Sequence, residues 1–211
     1  MRRGSLHAEG NRDRIVWSHS ELGTVIDSRP REGSVLVALS GKDWEKTDSV
    51  FDHLILPGIL PPLAARGIRA IHASSVQLQN GQGVMIAGPS GCGKTTAALM
   101  LVANGAKLVA DDLTFIRRDE ESFSIHGMGE GPRAVQQVWN NFSHWQPGKP
   151  DLVGKRRLHP NAIAWVPESR LYRVLLPSEH RSMTESVHAW MLTELIGYSY
   201  HAGDQDAALH Q

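Results

Sequence analysis

Cysteine is almost missing from this chain, with one residue, Cys92, in 211. That excludes an internal disulfide and a multi-cysteine zinc site, and it suits a reducing compartment. An excess of one charge is missing as well. The 22 basic and 22 acidic side chains cancel, so no global field draws the chain to nucleic acid or an anionic membrane. No apolar run reaches the roughly 18–20 residues of a membrane helix, and the amino-terminal MRRGSLHAEGNRDR lacks the apolar stretch of a signal peptide. The expectation is a cytoplasmic protein with no nucleic-acid or membrane partner. Internal repeats and low-complexity segments are also lacking, so turns and apolar periodicity must reveal the organisation.

What is present is enough for one sizeable core, since 41% of the residues are hydrophobic. RIVWS, GTVID and SVLVALS alternate with Gly, Pro and Asp breaks, which predicts a small strand-rich layer over residues 1–50 of the same domain. The stretch 50–66 is apolar and helix-like, although Pro57, Pro61 and Pro62 must interrupt or kink it. IHASSVQL and GVMIAG flank Asn80-Gly81, a strong hairpin signal. TTAALMLVAN (95–104) reads as a helix stopped by Gly105, and KLVADD as a buried strand ending in two carboxylates. LTFIRR, FSIHG, AIAWV and RLYRVLL read as further strands, 139–150 as a surface loop, and Ser182 to Glu185 as the capping box of a helix that closes at Gly197. The main domain then spans 51–200, followed by a frayed tail, 201–211.

The chemistry concentrates in Gly88-Pro89-Ser90-Gly91-Cys92-Gly93-Lys94-Thr95-Thr96, which satisfies the P-loop spacing of a glycine, four residues, then Gly-Lys-Ser/Thr. Small residues let successive N–H groups turn toward a phosphate, and the helix amino terminus adds its positive dipole end. Lys94 would neutralise the β- and γ-phosphates of ATP, and the Thr95 hydroxyl would reach magnesium. Asp111 and Asp112 end the next strand, where a parallel neighbour would deliver them beside those phosphates. Two adjacent carboxylates repel unless a cation or basic partner joins them. Cys92 reads as a small filler of the loop, although a helix amino terminus and Lys94 would lower its pKa if it had a redox role. Trp139, Trp145 and Trp165 are open to two readings, an acceptor groove or buried packing. The remaining histidines show no metal-ligand spacing.

IHASSVQLQNGQGVMIAGPSGCGKTTAALMLVANGAKLVADD resembles the core of the HPr kinase/phosphorylase family, whose fold is similar to phosphoenolpyruvate carboxykinase. The resemblance implies an α/β P-loop domain of that type, with a mixed sheet, flanking helices and the small strand-rich amino-terminal layer. It implies that His72, Gly88 to Thr95, Asp111 and Asp112 assemble a phosphoryl-transfer site. Asp111 would take the acceptor hydroxyl proton, and Asp112 would bind magnesium with Thr95. Gly154-Lys155-Arg156-Arg157 resembles a Gly-Lys stretch near the family's acceptor site, which makes Lys155 a further catalytic candidate. Where the family carries a signature near Glu-Ile-Arg-Gly-Leu-Gly, this chain has Ser124-Ile-His126-Gly-Met-Gly129. A stripped kinase core is also similar to the kinases that tailor lasso-peptide precursors. The implied activity is ATP- and magnesium-dependent phosphorylation of a serine-type hydroxyl on a peptide or small protein, by a chain that could assemble with itself. The alternatives are an HPr-type or free small-molecule acceptor, an ATP-binding regulatory module without transfer, and a nucleotide hydrolase.

Overall fold

The Asn80-Gly81 turn closes as its sequence predicts. Gly81 takes φ +84°, the Gln82 N–H donates to the Asn80 carboxamide at 3.1 Å, and the Leu78 N–H donates to the Gln82 carbonyl at 2.8 Å. The strands on either side, β6 (Ala73–Gln77) and β7 (Gly83–Ala87), pair antiparallel from Ala73 opposite Ala87 to Gln77 opposite Gly83. In this computed structural model, residues 6–46, 50–151 and 154–176 are described. They fall into two units, one up to Arg69 and one from Ala70 onward.

The first unit holds an antiparallel meander of β1 (Leu6–Gly10), β2 (Ile15–His19), β3 (Leu22–Arg29) and β4 (Ser34–Ala38), paired in chain order. Trp17, Ile26 and Leu54 form its core. The buried Asp43 carboxylate accepts from the Thr24 N–H at 2.9 Å and the Thr24 hydroxyl at 2.7 Å. Paired hydrogen bonds of this kind offset the cost of burying a charge. After a π-helical turn at Phe51–Ile55, α1 (Leu56–Ala65) runs through Pro61 and Pro62. The expected interruption is therefore not a break. Pro57, Gly58, Leu60 and Pro62 are buried, and this packing outweighs the backbone donors lost at the prolines. Gly58 has room for no side chain, because a Cβ there would meet the Ile26 Cγ2 at 2.5 Å.

The second unit is built on a seven-stranded mixed sheet. Its strands are β5 (Ile68–Ile71), which starts at the junction, β6, β7, β8 (Lys107–Ala110), β9 (Thr114–Arg118), β10 (Phe123–His126) and β13 (Glu168–Leu175), in the spatial order β5-β9-β10-β13-β7-β6-β8. A separate ribbon pairs β11 (Arg133–Val135) with β12 (Lys155–Arg157). Helix α2 (Lys94–Ala103) buries Ala98, Leu99 and Val102, spaced as one helical face, against Val76, Val84, Ile86 and Leu108. Full burial of one leucine such as Leu99 contributes about 1.5–3 kcal/mol. The predicted stop at Gly105 is a left-handed cap (φ +92°), with the Ala106 N–H reaching the Leu101 carbonyl at 3.1 Å and the Gly105 N–H reaching Val102 at 3.0 Å.

Three expectations need correction. AIAWV is not a strand, since Pro160 opens a short 3-10 turn (Pro160–Ala162) and only Trp165 bridges to Leu108. Pro160 and Pro167 bracket the segment and withhold backbone donors at both ends. The 139–150 segment is not wholly a surface loop. A short helix, α3 (Gln136–Trp139), delivers Trp139 into the core, where its indole N–H donates to the carbonyls of Ala134 at 2.9 Å and Arg156 at 3.1 Å. Phe142 is buried in the same cluster, and Trp145 stacks on it. Finally, β8 is not a direct neighbour of β7, because β6 lies between them. The helix read over 182–197 and the tail 201–211 lie outside the described residues. Among the described residues, no helix is long and apolar enough to cross a membrane.

Candidate active site

The intervening strand explains how distant residues meet. β6 runs antiparallel to both β7 and β8, so β7 and β8 end at the same sheet edge where β6 begins. His72 precedes β6, Gly88 follows β7, and Asp111 follows β8. All three therefore arrive at one edge, where the glycine-rich loop is faced by carboxylates.

The loop itself obeys its sequence. Gly91 and Gly93 adopt φ +82° and +92°, conformations that L side chains rarely take. Pro89 to Gly91 form an exposed crest. Cys92 is half-buried at the foot of the loop, and its N–H donates to the Pro89 carbonyl at 3.3 Å. Lys94 is folded back over the loop and almost fully buried, donating to the carbonyls of Gly88 at 2.8 Å and Pro89 at 2.9 Å. Thr95 and Thr96 follow in the first turn of α2.

Asp111 is the hub. Its Oδ1 accepts from the Thr95 hydroxyl at 2.9 Å and the Ser74 hydroxyl at 2.7 Å, and its Oδ2 accepts from the Arg133 backbone N–H at 3.0 Å. The structure thus joins Thr95 to Asp111. Burial raises the Asp111 pKa above the ordinary 3.8, the Asp112 charge raises it further, and the three donors oppose the rise. Asp112 has φ +63°, unusual for a residue other than glycine. The Leu113 N–H donates to the Asp111 carbonyl at 2.8 Å and closes a tight turn around it. Such strain gathers at functional sites. The His72 Nδ1 lies 2.8 Å from the Asp112 carbonyl. A carbonyl only accepts, so Nδ1 carries the proton and, in the neutral ring, Nε2 is the basic nitrogen.

Lys155 lies on β12 opposite Val135, two positions along the ribbon from Arg133. Its own N–H is held by Asp151 at 2.9 Å. Arg156 donates to the Gly148 carbonyl at 3.3 Å, and Arg157 pairs with Glu130. The two arginines of the basic run are thus tied to nearby loop groups. Trp165 is 40% exposed and covers Gly129, while Trp139 belongs to the core. At the altered signature, the His126 Nε2 lies 2.9 Å from the Ser124 hydroxyl, and Nδ1 lies 3.3 Å from the Glu168 carboxylate. An acidic group from β13 therefore stands beside a stretch whose own residues are a serine and a histidine.

Sequence reasoning missed Ser74, Arg133 and Glu168. A signal exists only for Ser74, since Ser74-Ser75 is a polar pair set between the apolar Ala73 and Val76. Arg133 acts through its backbone, which no residue type announces.

The arrangement has hard oxygen donors in Thr95, Asp111 and Asp112, and a cation, Lys94, over a glycine loop. A divalent ion that uses one or two carboxylates plus phosphate oxygens fits such a set. Among the described residues no group of three or more His, Cys, Asp or Glu is placed to hold a metal by itself. The raised Asp111 pKa makes a testable demand. A native carboxyl that holds its proton more tightly than the unfolded one adds stability below pH 3.8, and that stability is lost as pH rises through the raised value. Without metal, the Tm of the wild type minus that of Asp111→Asn should fall across this window. A difference that stays flat with pH would contradict the assigned environment.

These features define a class, a mixed α/β unit with a glycine-rich loop faced by carboxylates. Residues 64–138 match the family described as HPr Serine kinase C-terminal domain, and the chain is HPr kinase-like through this segment. The HPr kinase/phosphorylase of Bacillus mycoides is 39% identical over 124 residues, 59% of this chain and 37% of that protein. The HPr kinase/phosphorylase of Halalkalibacterium halodurans is 42% identical over 69 residues, 33% of this chain and 21% of that protein. The chain thus spans well under half the length of these relatives. A solved structure of the Hpr(Ser) kinase/phosphatase from Coxiella burnetii aligns with 51% of this chain and 58% of its own, at 17% identity and a TM-score of 0.35.

Proposed function

We propose that this chain is an ATP- and magnesium-dependent phosphotransferase that phosphorylates a serine-type hydroxyl on a peptide or small protein, on a phosphoenolpyruvate-carboxykinase-like P-loop domain. One observation carries the reading. The Thr95 hydroxyl, the Asp111 carboxylate and the Ser74 hydroxyl form one hydrogen-bonded group at the start of the helix that bears Lys94. The names of the relatives, HPr kinase/phosphorylase, support the reaction type.

The geometry supports exchanging the roles that resemblance alone implies for the aspartates. A Thr95 hydroxyl that donates to Asp111 turns its lone pairs away from that carboxylate, as a metal-facing hydroxyl must. Asp111 then serves the metal side. Asp112, set apart by its positive φ, is the group assigned to take the acceptor proton, and His72 fixes the turn that carries it. Bound magnesium would supply charge neutralisation at the phosphate oxygens. Lys94 would exchange its two loop carbonyls for phosphate oxygens, and the loop N–H groups would hold the transferred group in line. Lys155 is assigned to the acceptor side of the ribbon.

The test is transfer of label from γ-labelled ATP with magnesium to HPr and, separately, to serine-containing precursor peptides of the lasso type. Phosphoserine on one of these is the expected result. ATP binding with no transfer to any acceptor would favour a regulatory module, a reading the Ser124 and His126 departures keep open. Rapid hydrolysis without an acceptor would favour a hydrolase.

A further inference from the structure

The two edges of the sheet in the first unit are unlike. β1 carries His7 and Glu9, polar groups of the kind that blunt an exposed edge. β4, at the other edge, carries no charged side chain of its own. From Ser34 to Ser40 the chain reads SVLVALS, without a charge. Leu36 is 66% exposed, and Val25, Val37 and Leu39 are each close to 40%. Among the described residues β4 pairs with β3 alone, and none of them pairs with the other side of its backbone ladder. The chain keeps its course beside β3 as far as Ser40, whose N–H donates to the Thr24 hydroxyl at 3.1 Å. An uncharged apolar edge of this kind is a template for another strand.

The sequence selects which strand. Around Val37, Glu32-Gly-Ser-Val-Leu-Val-Ala-Leu-Ser-Gly-Lys42 reads nearly alike in both directions. Two copies laid antiparallel about a two-fold axis at Val37 set Leu36 against the partner's Ala38 and Val35 against the partner's Leu39. Ser34 falls against the partner's Ser40. Beyond the strand ends, the turn that carries Glu32 lies toward the partner's 3-10 helix (Gly41–Lys46) that carries Lys42, an opposite-charge approach that the symmetry repeats. Glu32 already lies 3.4 Å from Arg29. That pair is solvent-exposed and therefore weak, so it leaves the carboxylate able to serve the second contact.

We propose that β4 is a self-pairing edge, through which two copies of this chain join their four-stranded sheets into one continuous sheet of eight. The surface is distinct from the phosphoryl-transfer reading and does not depend on it. Sedimentation equilibrium of the full chain, from about 1 to 100 µM, should show a reversible dimer. Val37→Lys places two ammonium groups on the axis and should leave a monomer with an unchanged far-UV circular dichroism spectrum. Glu32→Lys and Lys42→Glu, each alone, set like charges against each other twice and should weaken dimerisation by roughly tenfold or more. The double variant should recover it, and mixing the two single variants should give heterodimers. These charges lie outside the strand, so the exchange decides the matter even if Val37→Lys fails to fold. A wild type that remains monomeric at the highest concentration overturns the proposal. So does a dimer indifferent to the charge exchange, which would use another surface. A monomer that instead captures an unrelated extended apolar peptide overturns it in favour of a peptide-docking edge.

Discussion

Lys94→Ala should lower phosphoryl transfer by at least about 10²–10³-fold, the scale of a lost preorganised charge at a reacting oxyanion. The expectation is larger than for an exposed lysine because Lys94 is almost fully buried at the base of the loop. A cation there acts where water does not screen it, and water cannot substitute for it. The same substitution removes two hydrogen bonds to Gly88 and Pro89 that hold the ligand-free loop. Nucleotide affinity should therefore fall along with turnover, and the Tm of the ligand-free protein should drop modestly, by the worth of one or two hydrogen bonds to a charged group, about 1.5–3 kcal/mol each. Steady-state transfer, nucleotide titration and thermal melts separate these effects. Transfer within tenfold of wild type would end the assignment of this loop to the phosphates.

The aspartates should separate cleanly. Asp112→Asn should reduce transfer by roughly 10²–10⁴-fold, the range for a lost general base, while magnesium and nucleotide affinities stay close to wild type. Asp111→Asn should behave as a metal-side lesion. An amide cannot accept both from the Thr95 and Ser74 hydroxyls on one side and from the Arg133 N–H on the other without presenting an N–H₂ group to one of them. Its magnesium requirement should rise, and excess magnesium should partly restore its rate. Rates measured across a magnesium series for both variants decide the matter. Rescue of Asp112→Asn but not of Asp111→Asn would return the base role to Asp111.

Much of the site is legible in the residues because its signals are local. The glycine spacing before Lys94-Thr95, the Asn80-Gly81 turn and the Gly105 stop each reflect backbone preferences that act within a few residues, and each appears in the structure. The Asp111-Asp112 pair is likewise visible as charge that an apolar strand would not carry without a purpose. What is not legible depends on strand order. The Asn80-Gly81 turn announces that β6 lies beside β7, but nothing in KLVADD tells that β8 takes the far side of β6 while β13 takes the other side of β7, because either arrangement buries the same apolar residues. The pairing of Thr95 with Asp111 follows from that order and from the backbone N–H of Arg133, so the division between the two carboxylates needs three dimensions. AIAWV misleads for a different reason. Its apolar character is real, and it is spent on burying Ile163 and bridging β8 at one residue, with prolines preventing a longer ladder.

The antiparallel strand between β7 and β8 has a consequence for folding. His72 and Asp112 are 40 residues apart, and every strand, loop and helix that brings them together lies in the chain between them. Closing contacts over such short loops costs little entropy compared with docking remote segments. This stretch is therefore suited to form early and to open as one cooperative piece. Amide protons of Val76, Val84, Leu99 and Leu108 should then exchange with a common opening free energy, slower than those of the ribbon that delivers Arg133. The loop would reach its carboxylates before the acceptor side of the site exists.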